Sequence, residues 1–336
     1  MRVLVTGGAG YIGSAMTEAL VLAGHHVIVY DNLSRGHRDA VISDAAFVEG
    51  DLLDAETLRG TLTRQRVEAV IHMAGVALVG ESMKKPALYY RTNVTGGLTL
   101  LEAMREAGTK SIVFSSTCAV YGMPATVPIE ETTSTNPVNP YGESKLAFER
   151  ALHWYHDAHG FRAISLRYFN AAGATERCGE RHDPETHLIP LVIDVAAGSR
   201  SELTIFGDDY PTRDGTCVRD YIHILDLAQA HILALEALER GDAPNDAYNL
   251  GCGGDGHTIR EVIDCARRVT GREIPARVGP RRDGDPPALV ASSASIAREL
   301  GWRPKHQQLE EIIESAWKWK LTRGAGSRGS GVGSQD

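Results

Sequence analysis

Arg2-Val3-Leu4-Val5-Thr6-Gly7-Gly8-Ala9-Gly10-Tyr11-Ile12-Gly13-Ser14 is the stretch that decides the fold. Its apolar start lacks the in-out alternation of a half-exposed strand, as expected for a strand covered on both faces. It runs into a G-x-x-G-x-x-G spacing, and a helical pattern then continues to about Ala23. Gly7 and Gly10 permit a tight turn and close approach of the backbone to a pyrophosphate. Gly13 lets the helix pack closely, and the helix N-terminus supplies free N–H groups and positive potential. Alone, such a loop serves equally well as a plain turn. The second strand, His26–Tyr30, adds discrimination because it ends at Asp31, about 20 residues downstream, where an acid can hold ribose hydroxyls. An aspartate there repels a 2′-phosphate and favours NAD over NADP, although Arg35 nearby keeps NADP in play.

Further strands over Ala69–Ala74, Ser111–Ser115 and Ala163–Phe169 alternate with helical patterns, including Tyr141–His159 after Pro140. This rhythm implies an α/β, Rossmann-type, doubly wound parallel sheet. Beyond residue 171 the pattern becomes irregular, with loops over Thr175–Thr186 and Gly207–Thr216. Helices return at Asp226–Glu239, Thr258–Thr270 and Leu309–Lys320. We expect a nucleotide-binding domain over 1–170, with about 218–250 returning to it, and a smaller mixed C-terminal substrate lobe over 171–322. The Gly/Ser-rich segment 323–336 reads as a disordered tail.

Composition narrows the function classes. Net charge is −8, from 35 Lys+Arg against 43 Asp+Glu, and basic residues form no long stripe, so nucleic acid is not an expected partner. Apolar runs fall short of the ~20 residues that cross a bilayer, and the N-terminal run is too short for a signal peptide. No membrane association and a cytoplasmic location are therefore expected. Five cysteines without a C-x-x-C pair suit a reducing compartment and imply no zinc site; no metal is expected.

Ser115-Ser116-Thr117 ends a strand, and Tyr141-Gly142-Glu143-Ser144-Lys145 opens a helix, where i, i+4 spacing puts phenol and ammonium on one face. Tyrosine's pKa near 10 must come down toward neutrality to act as a base, a difference of about 4 kcal/mol that Lys145 and a cationic nicotinamide would supply together. Thr117 adds a hydroxyl to the same proton path. The Y-x-x-x-K pattern is common by chance on surface helices; its place after a nucleotide fold gives it weight. Asp51-Leu52 after the third strand would contact adenine, and Ala74-Gly75 after the fourth would let the backbone pass close to a cofactor. Each of these pairs also reads as a simple cap or turn.

The segments GGAGYIGS, DNLSRG, EGDLLD, HMAGVALVGES, FSSTCAVYG, NPYGESKLAFE, LRYFNAAGA, GDDYPTRDGTCVRDYIHILDLAQAH, YNLGCGGDGHTIRE and RRDGDPPA together resemble the extended short-chain dehydrogenase/reductases over about residues 1–320. Within them they most resemble the UDP-glucose 4-epimerase family. That resemblance implies reversible C4 epimerisation of UDP-galactose and UDP-glucose through a 4-keto sugar, with a tightly held NAD. The implied cofactor site comprises Gly7, Gly10, Tyr11, Ile12, Gly13, Asp31, Asn32, Asp51, Leu52, Ala74, Gly75, Asn93, Ser115, Tyr141, Lys145 and Tyr168. Asn93 and Tyr168 serve packing just as well. Tyr141 is the implied acid/base, Lys145 its partner on the nicotinamide ribose, and Thr117 the hydrogen-bond partner of the sugar oxygen. Around a UDP-hexose it implies Asn170, Leu188, Phe206, Arg219, Arg282 and Asp285, with the arginines on the diphosphate and Asp285 on ribose, and Leu289 beside the C2 substituent of the sugar. A homodimer through Pro86–Gly108 and Tyr141–His159 is likewise implied, although apolar faces there fit a core too.

Departures from the family pattern are Thr117 and Cys118 in a segment that often reads Ser-Ser-Ser-Ala, Ala77 where relatives often carry lysine or serine, and Cys217 in place of glycine, which questions the turn. Leu289 is intermediate between small residues that admit N-acetyl sugars and tyrosine that excludes them. Other nucleotide-sugar 4-epimerases remain open. A 4,6-dehydratase would need an Asp-Glu pair after Thr117, where Cys118 and Ala119 stand, and Ala119 also argues against a decarboxylase. A non-catalytic NAD sensor would have no need of Thr117, Tyr141 and Lys145 together.

Overall fold

A computed structural model of the chain describes residues 1–241, 247–282 and 284–326. Seven parallel strands form the main sheet: β1 (Arg2–Thr6), β2 (His26–Asp31), β3 (Ala46–Glu49), β4 (Ala69–His72), β5 (Ser111–Thr117), β6 (Arg162–Tyr168) and, after an excursion, β11 (Ala247–Leu250). Their spatial order is β11-β6-β5-β4-β1-β2-β3. The chain winds outward from β1 to β3 and then returns to pair β4 on the other side of β1. The strand order therefore reverses between β1 and β4, and a crevice opens there beyond the carboxyl ends of the strands.

Both faces of the sheet are covered, which explains the unbroken apolar runs. Val3 and Val5 face α1 (Tyr11–Leu22) and α8 (Ile224–Arg240), where Met16, Leu20, Leu227 and Leu238 are buried. Leu4 points the other way, toward Leu58 of α2 (Ala55–Arg64), Leu100 and Met104 of α5 (Gly96–Ala107), and Phe148 and Leu152 of α6 (Pro140–His159). Between α2 and α5 lie the short helices α3 (Val79–Lys84) and α4 (Pro86–Tyr89) and a π-helical turn over Tyr90–Thr95. The last two residues of the expected strand Ala69–Ala74 leave the sheet at Met73, while β5 runs two residues past Ser115 to Thr117.

The second lobe has its own core. Helices α7 (Leu188–Ala196), α9 (Ile259–Thr270) and α11 (Leu309–Gly326) pack Ile189, Val192, Val262, Ile263, Ile312 and Ile313 together with β8 (Leu203–Phe206). β8 pairs with β13 (Ala276–Gly279), and β9 (Val218–Arg219) lies between β12 (His257–Thr258) and β14 (Ala288–Leu289). β7 (Asn170–Ala172) pairs with β10 (Tyr221–His223), and a short helix α10 (Ala294–Glu299) precedes α11. The last helix ends inside the segment read as tail: Arg323 bonds Asp39 at 2.8 Å and lies over the Trp319 ring. Residues 327–336 of that reading lie outside the described residues. Among the described residues, no helix is long and apolar enough to cross a membrane.

Candidate active site

The crevice is lined first by the turn after β1. Gly7 has φ +72°, and a Cβ there would sit 2.6 Å from the Ala74 nitrogen; one on Gly13 would run into the Gly7 carbonyl. Glycine is required at both positions because the turn, α1 and the end of β4 share one small space. Gly10 precedes α1 with no side-chain cap, and the first turn of α1 carries no acid. Its N–H groups, with those of Tyr11, Ile12 and Gly13 among the first, therefore face the crevice as an anion cradle. Asp31, 8% exposed, accepts from Ala9 N (3.0 Å) and Leu33 N (2.8 Å), each oxygen keeping a lone pair for another donor. Asn32 bonds Asp51 at 2.7 Å, closing the neighbouring strand ends, and Leu52 is buried just beyond. Arg35, the residue that kept NADP in play, is engaged by Glu81 and by the Asp183 carbonyl at 2.8 Å. The residues present thus fit a dinucleotide with a free ribose diol.

β5 and α6 bring the chemistry to the same crevice. Asn139 caps α6 by accepting from Gly142 N at 2.9 Å, and Pro140 starts it, which places Tyr141 in the first turn and Lys145 one turn on. Lys145 Nζ donates to Ser115 O at 2.9 Å and lies 4.9 Å from the centre of the Phe114 ring. Ser115 Oγ and the Tyr168 hydroxyl are 2.5 Å apart, so Tyr168 holds the strand end that holds the lysine. Asn93 is fully engaged, bonding Val76 N and O and Ser144 Oγ; it clasps the turn after Gly75 to α6.

Electrostatics amend the sequence expectation for Tyr141. Burial, then the neighbouring Tyr168, raise its pKa, opposed by the nearby Thr117 hydroxyl, and no cation is among its principal influences. Burial pushes Lys145 down to about 8, against the pull of Glu149. Lys145 is not among the principal influences on Tyr141, and its ammonium donates to the Ser115 carbonyl. Further positive charge has to arrive with the bound molecules before the phenol becomes a base.

On the far side of the crevice Arg219, also buried, bonds Asp285 at 2.7 Å and the carbonyls of Val218 and Pro286. Residues 66 apart in sequence are thus neighbours, but each occupies the other. Leu289 pairs with Arg219 in register between β14 and β9 and packs near Phe169 and Tyr121. Arg282 stacks on Phe206 at 3.8 Å from the ring centre, Asn170 donates to Asp220 O at 2.8 Å, and Leu188 opens α7. Cys217 does not disturb the turn: Gly215 takes the left-handed conformation (φ +83°), and Cys217 is buried after it. Burial pushes the Cys118 thiol up to about 12, which keeps it protonated and inert.

Two supporting residues escaped the sequence reading. Asp220, pushed up to about 6 by burial, accepts from Cys252 N, Gly253 N and Ala291 N and ties the two lobes together. Glu149, one turn beyond Lys145, bonds Ser116 Oγ and forms a buried ion pair with Arg167. A charge inside an apolar stretch was the available signal in Val218-Arg219-Asp220-Tyr221-Ile222 and in Leu166-Arg167-Tyr168.

Residues 3–251 match the NAD dependent epimerase/dehydratase family. The chain is 52% identical over 321 residues to a UDP-glucose 4-epimerase of Halalkalibacterium halodurans, covering 95% of each. It superposes with TM-score 0.91 on UDP-glucose 4-epimerase from Brucella ovis in complex with NAD, at 49% identity over 94% of this chain and 97% of that one. The same score is found for the enzyme from Bifidobacterium longum in complex with NAD+ and UDP, at 36% identity over 97% and 100%.

Proposed function

The chain belongs to the NAD dependent epimerase/dehydratase family, and on that premise we propose that it interconverts UDP-galactose and UDP-glucose by inverting sugar C4. One observation carries this reading: Tyr141, in the first turn of α6, and Thr117, at the end of β5, sit close together in a crevice whose other wall is a dinucleotide cradle, and no carboxylates follow Thr117 to drive elimination. NAD, when bound, supplies the means of oxidising C4 and reducing it again. The protein's part is to hold and move a proton and to let the sugar turn. Tyr141 takes the proton of the 4-hydroxyl and returns it, Thr117 hydrogen-bonds the sugar oxygen, and Lys145 orders the strand end and binds the nicotinamide ribose. Inversion requires a firmly held UDP and a hexose free to rotate. Arg219, Arg282, Asp285, Phe206, Asn170 and Leu188 supply the anchor, and separation of the Arg219–Asp285 pair frees the guanidinium for the diphosphate.

NAD is favoured over NADP because Asp31 faces the turn and Arg35 is already engaged. The reading extends to a homodimer, supported by exposed Leu88, Leu98 and Trp154 on α4, α5 and α6, and to the cytoplasm, supported by five unpaired thiols. A sedimentation run giving a monomer at micromolar concentration would rule out the dimer. Purified protein incubated with UDP-galactose and NAD should yield UDP-glucose by NMR. An inert mixture, or one that turns over only another UDP-sugar, removes the assignment.

A further inference from the structure

The segment Glu180-Arg181-His182-Asp183-Pro184-Glu185-Thr186-His187 joins β7 to α7 and takes no part in the proton path. Its pattern, Glu-x-His-x-x-Glu-x-His, folds so that one ligand atom from each of Glu180, His182, Glu185 and His187 lies within 4.8 Å of all the others. Two imidazoles and two carboxylates at that spacing form an N2O2 donor set suited to zinc and similar divalent first-row cations.

Three details argue that the set is built to hold something. Glu180 and Glu185 are about nine-tenths buried, at 10% and 11% exposure, an expensive place for two carboxylates without a cation. Each has one oxygen oriented by backbone: Glu180 Oε1 accepts from Arg181 N and His182 N, and Glu185 Oε1 from Thr186 N and His187 N. Glu185 Oε2, by contrast, is buried with no hydrogen-bond partner among the described residues, and so is His182 Nδ1. His182 Nδ1 lies 2.6 Å from Glu180 Oε1 yet is not aligned to share a proton with it. In the second pair His187 Nδ1 hydrogen-bonds Glu185 Oε1 at 2.8 Å, a contact that a bound cation would replace.

We propose that Glu180, His182, Glu185 and His187 form a structural zinc-type site. A divalent cation there neutralises the two carboxylates and fixes the loop that runs from beside Tyr11, whose phenol feels the charges of both Glu180 and Glu185, to Leu188 at the start of α7. The site would thus brace the phosphate turn against the substrate lobe. The cysteine pattern gave no hint of it; the signal lay in the His/Glu spacing.

The full chain, carrying whatever dinucleotide it retains, is stripped with EDTA, incubated with zinc chloride, passed through gel filtration and assayed for zinc by mass spectrometry. One zinc per chain is expected, falling at least tenfold in the double variant His182→Gln/His187→Gln and in Glu185→Gln. Circular dichroism and retained NAD report whether each variant folds. His187→Gln alone, at an exposed position, should weaken binding without affecting the fold. Cobalt in place of zinc should give visible bands of tetrahedral intensity that vanish in the same variants. Zinc lost on the column, or retained undiminished by the folded double variant, overturns the site.

Discussion

The proposed chemistry rests mostly on Tyr141, and its surroundings set the direction of its response. Burial raises its pKa, so the free protein holds a neutral phenol and activation waits on charge brought in with the bound molecules. Tyr141→Phe removes only the oxygen from a ring packed edge-on against Tyr89. We expect kcat to fall about 10^2–10^4-fold, as for loss of a general acid/base, with KM little changed. Leu289 tests the sugar pocket. With leucine we expect UDP-galactose to be preferred over UDP-N-acetylgalactosamine; equal kcat/KM for the two would refute this, and Leu289→Ala should narrow the gap. Tyr141 was legible in sequence because its type and its spacing to Lys145 carry the chemistry, whereas Leu289 was reached only through the family resemblance. The Arg219–Asp285 bond and the orientation of Lys145 toward Ser115 O were not legible, since each depends on contacts between distant segments.

Among the elements, the turn between β1 and α1 tolerates little change. A methyl on Gly13 meets the Gly7 carbonyl, so α1 would have to shift away from β1. Gly13→Ala should purify with less than a tenth of the wild-type NAD content, measured by absorbance after acid release, and with a lower Tm. Gly10→Ala, where a Cβ finds only a 3.3 Å contact with Gly7 O, should be milder. The main strands and α6 were legible because hydrophobic runs and helix-start residues are local signals: Pro140 announces α6 and Gly7 ends β1. The two- and three-residue strands of the second lobe were not. β9, β12 and β14 are too short to show a period, and only their pairing makes them strands.

At the scale of the whole molecule, acid should be destabilising. Burial lowers His72 to about 3, and His223 and His231 to about 4, so all three fold neutral and take up protons on unfolding as pH falls below about 6.5. Asp220, pushed up to about 6, works in the opposite sense between about 6 and 4, because the folded form binds its proton first. Near pH 5 these four groups leave a net uptake of about two protons, a loss of about 2–3 kcal/mol per pH unit. Urea melts at pH 7 and pH 5 read it directly; a midpoint that does not fall between them contradicts it.

The two lobes, the crevice between β1 and β4, and the residues gathered there converge on one claim, that C4 is oxidised and reduced within a single site. UDP-galactose deuterated at C4, incubated with the protein in ordinary water, tests that claim most directly. The account predicts UDP-glucose that keeps its deuterium at C4, and no such product from Tyr141→Phe. Product carrying solvent hydrogen at C4 would contradict it, because the C4 hydrogen would then have left as a proton.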